Sequence, residues 1–153
     1  MELTSPVFKA NEKIPAKYTC DGEGVSPPLQ ISGVPGGAKS LVLIMDDPDI
    51  PETVKKNYGI EVWDHWVVFN IPVEVTTIAE GTNPPGVLGK NTRGNIAYGG
   101  PCPPDREHRY FFKLYALDVV LDLPAGSTKA EVEKAVEGHV LEKSELIGRY
   151  ERG

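Results

Sequence analysis

The chain has 153 residues, 40% of them hydrophobic and 25% charged, the balance of a folded globular protein rather than a disordered one. Its 22 acidic against 16 basic side chains give a net charge of -6 and a pI near 5.1, the opposite of what a general nucleic-acid binder or a protein held on anionic lipid carries. No apolar run approaches the ~18 residues of a membrane span; Met1–Pro6 shows neither the basic nor the apolar region of a signal peptide, so the cytoplasm is the expected compartment.

The length predicts a single domain, residues 1–153. Sixteen glycines and 14 prolines, about a fifth of the chain against an average near 12%, recur between short apolar runs. That is the punctuation of a mostly β sandwich or barrel. After Ser26-Pro27-Pro28, Leu29–Ile31 reads as a short edge strand. Ser40–Met45 is continuously apolar and predicts a strand buried on both faces, ended by Asp46-Asp47-Pro48-Asp49-Ile50-Pro51. A polar loop then leads to Trp63–Ile71, β-branched and aromatic and the most strand-like segment of all. On it Trp63 and Trp66, three apart, are expected on opposite faces.

Residues 79–94 read as loop, Ile96–Tyr98 as a short strand, and Gly99-Gly100-Pro101-Cys102-Pro103-Pro104 as a rigid loop. Tyr110–Leu117 is a third strong strand whose even positions face inward. Thr128-x-x-Glu131 is a capping box opening a helix that Gly138 stops, and Glu145–Tyr150 reads as a closing strand. Cys20 and Cys102 fit no zinc or CxxC spacing and are expected as free thiols in a cytosolic chain.

No G-x-S-x-G, P-loop, GxGxxG or HExxH signature is present, which lowers the weight of enzyme readings. What remains is a convergence at strand ends. Asp46, Asp47 and Asp49 leave one strand, His65 enters the next, and His108 and Arg109 enter the third. In an antiparallel sheet these positions meet at one end. Two imidazoles, a carboxylate to orient them and the Gly99–Gly100 backbone suit a small oxyanion. Each residue also has a plain structural use: His65 as a half-buried core side chain, Arg109 as the partner of a surface acid, specifically Asp49, Cys102 as packing, and His139 beside the helix end as structural.

Asp47-Pro48-Asp49-Ile50-Pro51, Trp63-Asp64-His65-Trp66, Gly99-Gly100-Pro101 and His108-Arg109-Tyr110 occur in an order and spacing that resemble the phosphatidylethanolamine-binding protein family. Tyr18-Thr19-Cys20-Asp21-Gly22 and Val25-Ser26-Pro27-Pro28-Leu29 are similar to its prokaryotic Raf-kinase-inhibitor-like branch. The resemblance implies a Greek-key β-sandwich with one or two short helices near the C-terminus, a cis bond before Pro51, and an anion pocket. That pocket would use Asp47, His65, Gly99, Gly100, Pro101, His108 and Tyr110 to bind, with Asp49, Trp63 and Arg109 in support. The pocket tyrosine of the eukaryotic branch falls at Ile60 here, with Tyr58 nearby. The implied function is a non-enzymatic binding protein for phosphate or a phosphorylated ligand, with no catalytic residues, cofactor or metal. A kinase or protease partner and a homodimer are also implied. The competing reading makes Asp47, His65 and His108 a metal site or the acid–base groups of a phosphoester hydrolase.

Overall fold

The computed structural model describes residues 1–153. Eight strands and two α-helices follow one another as β1 (Glu2–Thr4), β2 (Leu29–Ser32), β3 (Ser40–Asp47), α1 (Glu52–Tyr58), β4 (Trp63–Ile71), β5 (Thr77–Ile78), β6 (Val87–Leu88), β7 (His108–Leu117), α2 (Lys129–Val136) and β8 (Val140–Tyr150), with a 3-10 turn at Ala16–Tyr18. They form two antiparallel sheets, of order β1-β2-β5 and β6-β4-β3-β7-β8.

β3 lies at the centre of the larger sheet and is buried along its whole length, as its unbroken apolar run predicts. The period of two divides it between two cores. Leu41, Leu43 and Met45 join Leu3, Leu29 and Ile31 of the smaller sheet in the main core, while Val42 and Ile44 pack with Val132 and Val136 of α2 on the opposite face. The Thr128–Glu131 capping box forms in full at the start of α2.

Five details depart from expectation. Ile96–Tyr98 is irregular rather than a strand, and β8 begins at Val140, earlier than the Glu145 start expected. The polar loop after Pro51 contains α1, a seven-residue helix that buries no residue, closed by Gly59 in the left-handed conformation (φ 64°). Every peptide bond is trans, including Ile50–Pro51. Pro51 (φ -61°, ψ 152°) delivers the chain into α1, its carbonyl accepting from the N–H groups of Val54 and Lys55 at 3.0 and 3.1 Å. Trp63 and Trp66 share one face of β4, for a reason given below.

A sixth departure concerns the cysteines: Cys20 and Cys102, 82 positions apart in sequence, are joined in a disulfide with Cα atoms 5.4 Å apart. The free-thiol expectation rested on compartment, whereas the fold lays the two loops side by side. The Cys20 N–H donates to the Pro101 carbonyl at 3.1 Å. In the chain-entropy picture such a long closed loop contributes about 4–5 kcal/mol. Reduction, or the Cys20→Ser/Cys102→Ser variant, is therefore expected to lower the denaturant-derived stability by roughly 3–5 kcal/mol. Coincident unfolding curves for oxidised and reduced protein would contradict the tether.

Candidate functional site: a cavity at the strand ends

The last residue of β3 and the first residues of β4 and β7 meet at one end of the larger sheet. Asp47 pairs with Trp63 across β3–β4, and Asp46 with Phe111 across β3–β7. The three acids of the 46–49 run then go separate ways. Asp46 faces α2 and binds Lys113 and Lys129, both at 2.9 Å. Asp47, on the other face, contacts His108: its Oδ2 lies 2.7 Å from Nδ1, and both side chains are almost fully buried. Asp49 takes Arg109 in a fork, Nε and Nη2 both at 2.9 Å, and also accepts from the Arg109 backbone N–H. The Arg109 fork holds the Asp49 carboxyl down at about 2. Burial pushes the Asp47 carboxyl up despite its bond to His108.

His108 gives neither ring nitrogen to the cavity. Its Nε2 lies 2.6 Å from Asp105 Oδ1, so the ring is bracketed by two carboxylates. This corrects the expectation that His108 donates to an anion, because in this conformation the acid three residues earlier already occupies that direction.

His65 is placed by a break in register. Met45 pairs with Trp66 but Asp46 pairs with Asp64, so His65 is the inserted residue of a β-bulge. The extra residue also brings Trp63 and Trp66 to the same face, which simple alternation does not predict. Nδ1 of His65 donates to the Gly99 carbonyl at 2.7 Å, and Gly99 N–H returns to the His65 carbonyl at 2.8 Å. Burial lowers the imidazole to about 4, against the help of Gly99. At neutral pH the ring is therefore neutral. With its proton fixed on Nδ1, it turns a bare Nε2 acceptor outward, rather than the imidazolium donor expected.

Tyr110 sits between the two imidazoles, 5.3 Å from the His65 ring and 6.3 Å from that of His108. It is 1% exposed and His65 is 6% exposed. Neither the Tyr110 hydroxyl nor His65 Nε2 has a partner in the protein, yet neither is sealed off. Both side chains line a cavity of about 570 Å³ together with Asp47, Gly99, Gly100 and His108. Gly100 N–H has no acceptor in the protein either. Glycine is required there by the neighbouring loop, since a Cβ would stand 2.9 Å from the Tyr18 carbonyl oxygen. Pro101 does not line the cavity; it is buried behind it, its carbonyl bound to Cys20. Asp49 and Arg109 brace the rim from outside the lining. Trp63 forms one wall, in ring contact with Tyr58 at 5.1 Å.

Sequence reasoning named Tyr58 only as a neighbour of the family's pocket-tyrosine position and missed the rest of the outer half of this cavity: Val54 and Asn57 of α1, Arg93 in the 91–97 loop, and the disulfide at the rim. Gly59 after Lys55-Lys56 was the available signal for α1. No three His, Cys, Asp or Glu side chains are grouped to hold a metal ion.

The family model described as phosphatidylethanolamine-binding protein matches residues 4–151. The chain belongs to the phosphatidylethanolamine-binding protein family. A UPF0098 protein of Methanothermobacter thermautotrophicus is 52% identical across the whole of both chains. A solved structure from Chlamydia trachomatis, described as a phosphatidylethanolamine-binding protein homolog, is 48% identical and superposes with a TM-score of 0.94, over 99% of this chain and 97% of that one. E. coli YbcL, described as a member of the mammalian family, is 32% identical with a TM-score of 0.87, covering 99% and 98%. As a phosphatidylethanolamine-binding protein family member the chain has the family's two-sheet fold, and no helix in it is long and apolar enough to cross a membrane.

The buried, neutral His65 carries a measurable consequence in this family member. Its folded pKa lies below the usual 6.5, at about 4, so the unfolded chain takes up the proton first. Stability from this group is complete above pH ~6.5 and is lost as pH falls towards ~4, by roughly 3 kcal/mol in all. The stability difference between wild type and His65→Gln should therefore shrink by about that amount over this interval. A difference independent of pH would contradict a neutral buried ring.

Proposed function

We propose that the cavity holds the oxyanion of a phosphate group and that the protein is a non-enzymatic binding module for a phosphorylated ligand. The observation that carries this reading is the pair of nearly buried, unpartnered polar groups facing one space, the Tyr110 hydroxyl and His65 Nε2. Each opens on the cavity and is of the type a protonated phosphate satisfies. Tyr110 and Gly100 N–H donate to phosphate oxygens, and His65 Nε2 accepts from a P–OH. Asp47 and His108 position Tyr110 and supply no N–H of their own. The family's description names a phosphate-bearing lipid, which fits the same chemistry.

In this reading the fold is a Greek-key sandwich, and the protein works in the cytoplasm as a homodimer, using phosphate recognition to restrain a kinase or protease. An intracellular setting accommodates the disulfide in the way that proteins of hyperthermophilic archaea do; relatives include one from Pyrococcus horikoshii, 47% identical. The hydrolase alternative gains nothing from His108, both of whose nitrogens are taken up by carboxylates.

Calorimetry with inorganic phosphate tests the reading. His65 accepts from a P–OH, which inorganic phosphate keeps even as its dianion, so its affinity should persist above pH ~7.5, whereas methyl phosphate, whose dianion has none, should lose about tenfold per pH unit above ~6. Sulfate, which has no proton to offer, should bind at least ~10-fold more weakly, and Tyr110→Phe should cost about tenfold. Equal affinity for phosphate and sulfate, or no effect of Tyr110→Phe, contradicts the assignment. Turnover of p-nitrophenyl phosphate by purified protein would contradict the non-enzymatic role.

A further inference from the structure

The cavity is far larger than the ion assigned to it. Its volume of about 570 Å³ equals ~20 waters at ~30 Å³ each, in the range of pockets that enclose whole organic ligands, about 300–1,000 Å³. Beyond the polar floor of Tyr110, His65 and Gly100, the wall is apolar and aromatic: Ile50, Pro51 and Val54, then Tyr58 in tilted contact with Trp63. Tyr58 is 56% exposed, a large aromatic face left at the cavity mouth.

The same space has a single cation, since Arg93 is the only Lys or Arg side chain lining it. Each of the other four arginines, 106, 109, 149 and 152, has a carboxylate within 4 Å. Arg93 has none, in a chain whose acids outnumber its bases by 22 to 16. Its backbone is nonetheless held firmly. Thr92 N–H donates to the Asp64 carbonyl at 3.0 Å and Asp64 N–H to Thr92 Oγ1 at 2.7 Å. Asn91 closes the loop from both sides, accepting from Asn95 N–H on its side-chain oxygen and from Gly94 N–H on its carbonyl, both at 3.0 Å. Asp64 is the residue next to His65, so these bonds anchor the Arg93 loop to the strand that carries the imidazole. The guanidinium charge is near enough to oppose protonation of that ring.

We propose that Arg93 is the outer anion contact of this cavity and that the ligand is an aromatic phosphomonoester, its ring on the Tyr58–Trp63 wall and its phosphate shared between Arg93 and the inner donors. The assignment rests on the oxyanion reading above and adds to it a ligand class and a specificity-determining residue. Guanidinium supplies two parallel donors to the phosphate oxygens, while the P–OH of the monoprotonated ester goes to His65 Nε2. Ring contact with Tyr58 and Trp63 adds affinity that a bare phosphate cannot collect.

Calorimetry comparing phenyl phosphate with inorganic phosphate, on wild type, Arg93→Gln, Arg93→Lys and Tyr58→Ala, separates the parts. Arg93 and Tyr58 are exposed, and an unchanged melting temperature confirms that each variant is folded. At pH ~5.5, where both probes carry a P–OH, wild type should bind phenyl phosphate at least ~10-fold more tightly than inorganic phosphate. Arg93→Gln should weaken both about tenfold, with Arg93→Lys recovering part of the loss. Tyr58→Ala should leave inorganic phosphate unchanged and reduce the preference for phenyl phosphate about three- to tenfold. Unaltered binding in Arg93→Gln overturns the role of Arg93, and equal wild-type affinity for the two probes overturns the aromatic ligand; in either case the oxyanion site stands. If wild type binds neither probe, the oxyanion reading falls and this assignment with it. Phosphotyrosine and adenosine monophosphate, run in parallel, then distinguish a peptide-borne from a nucleotide source of the ring.

Discussion

The buried contact between Asp47 and His108 organises this end of the molecule. It joins the last residue of β3 to the first of β7 at 2.7 Å, with both side chains withdrawn from solvent. A carboxylate in that position is costly unless its oxygens are satisfied. Both are: Oδ2 contacts the imidazole, and Oδ1 accepts the Asp49 N–H at 2.7 Å. The second bond turns the chain out of the strand and presents Asp49 to Arg109, whose fork closes the corner from outside. Tyr110 rests against the resulting His108 ring at an interplanar angle of 27°. The position of the free Tyr110 hydroxyl thus follows from a contact that does not itself touch a ligand.

Parity along the strands assigns the remaining charges. Asp46 and Asp64 lie on the α2 side of the sheet, where Lys113 and Lys129 neutralise them. Asp47 and Trp63 lie on the cavity side. The bulge at His65 allows one segment, Trp63–Trp66, to give an acid to the lysine cluster, a histidine to the cavity and both tryptophans to the same face. A second irregularity farther along β4, pinned by Asn70 (φ 54°) through two 2.8 Å bonds to Leu121, restores the strand to the core pattern. The sheet's interior is regular; its chemistry sits where regularity breaks, as is common for bulges near functional sites.

Much of this was legible from residue order. Ser40–Met45, Trp63–Ile71 and Tyr110–Leu117 declared themselves as strands because they are long, apolar and β-branched, and Thr128-x-x-Glu131 declared its helix because a capping box is local chemistry. Asp47, His65, His108 and Tyr110 could be placed together because antiparallel neighbours share their ends. Other features depended on signals that periodicity does not carry. An inserted residue is invisible to a count of two, so the faces of Trp63 and Trp66 were misassigned. α1 buries nothing and so has no apolar stripe. The disulfide, and the capture of His108 Nε2 by Asp105, are decided by where loops come to rest. Arg93 belongs to no motif; it stands out only once every other arginine is seen to be paired.

Phosphate recognition in this cavity depends on His65 presenting an unprotonated Nε2. Nitrogen-15 NMR of the imidazole in the folded protein at pH 7, with and without phosphate, tests this most directly. The structure predicts a neutral ring protonated on Nδ1, with the Nε2 resonance moving towards the protonated range when phosphate is added. A ring protonated on Nε2 in the free protein, or an Nε2 signal indifferent to saturating phosphate, would contradict it.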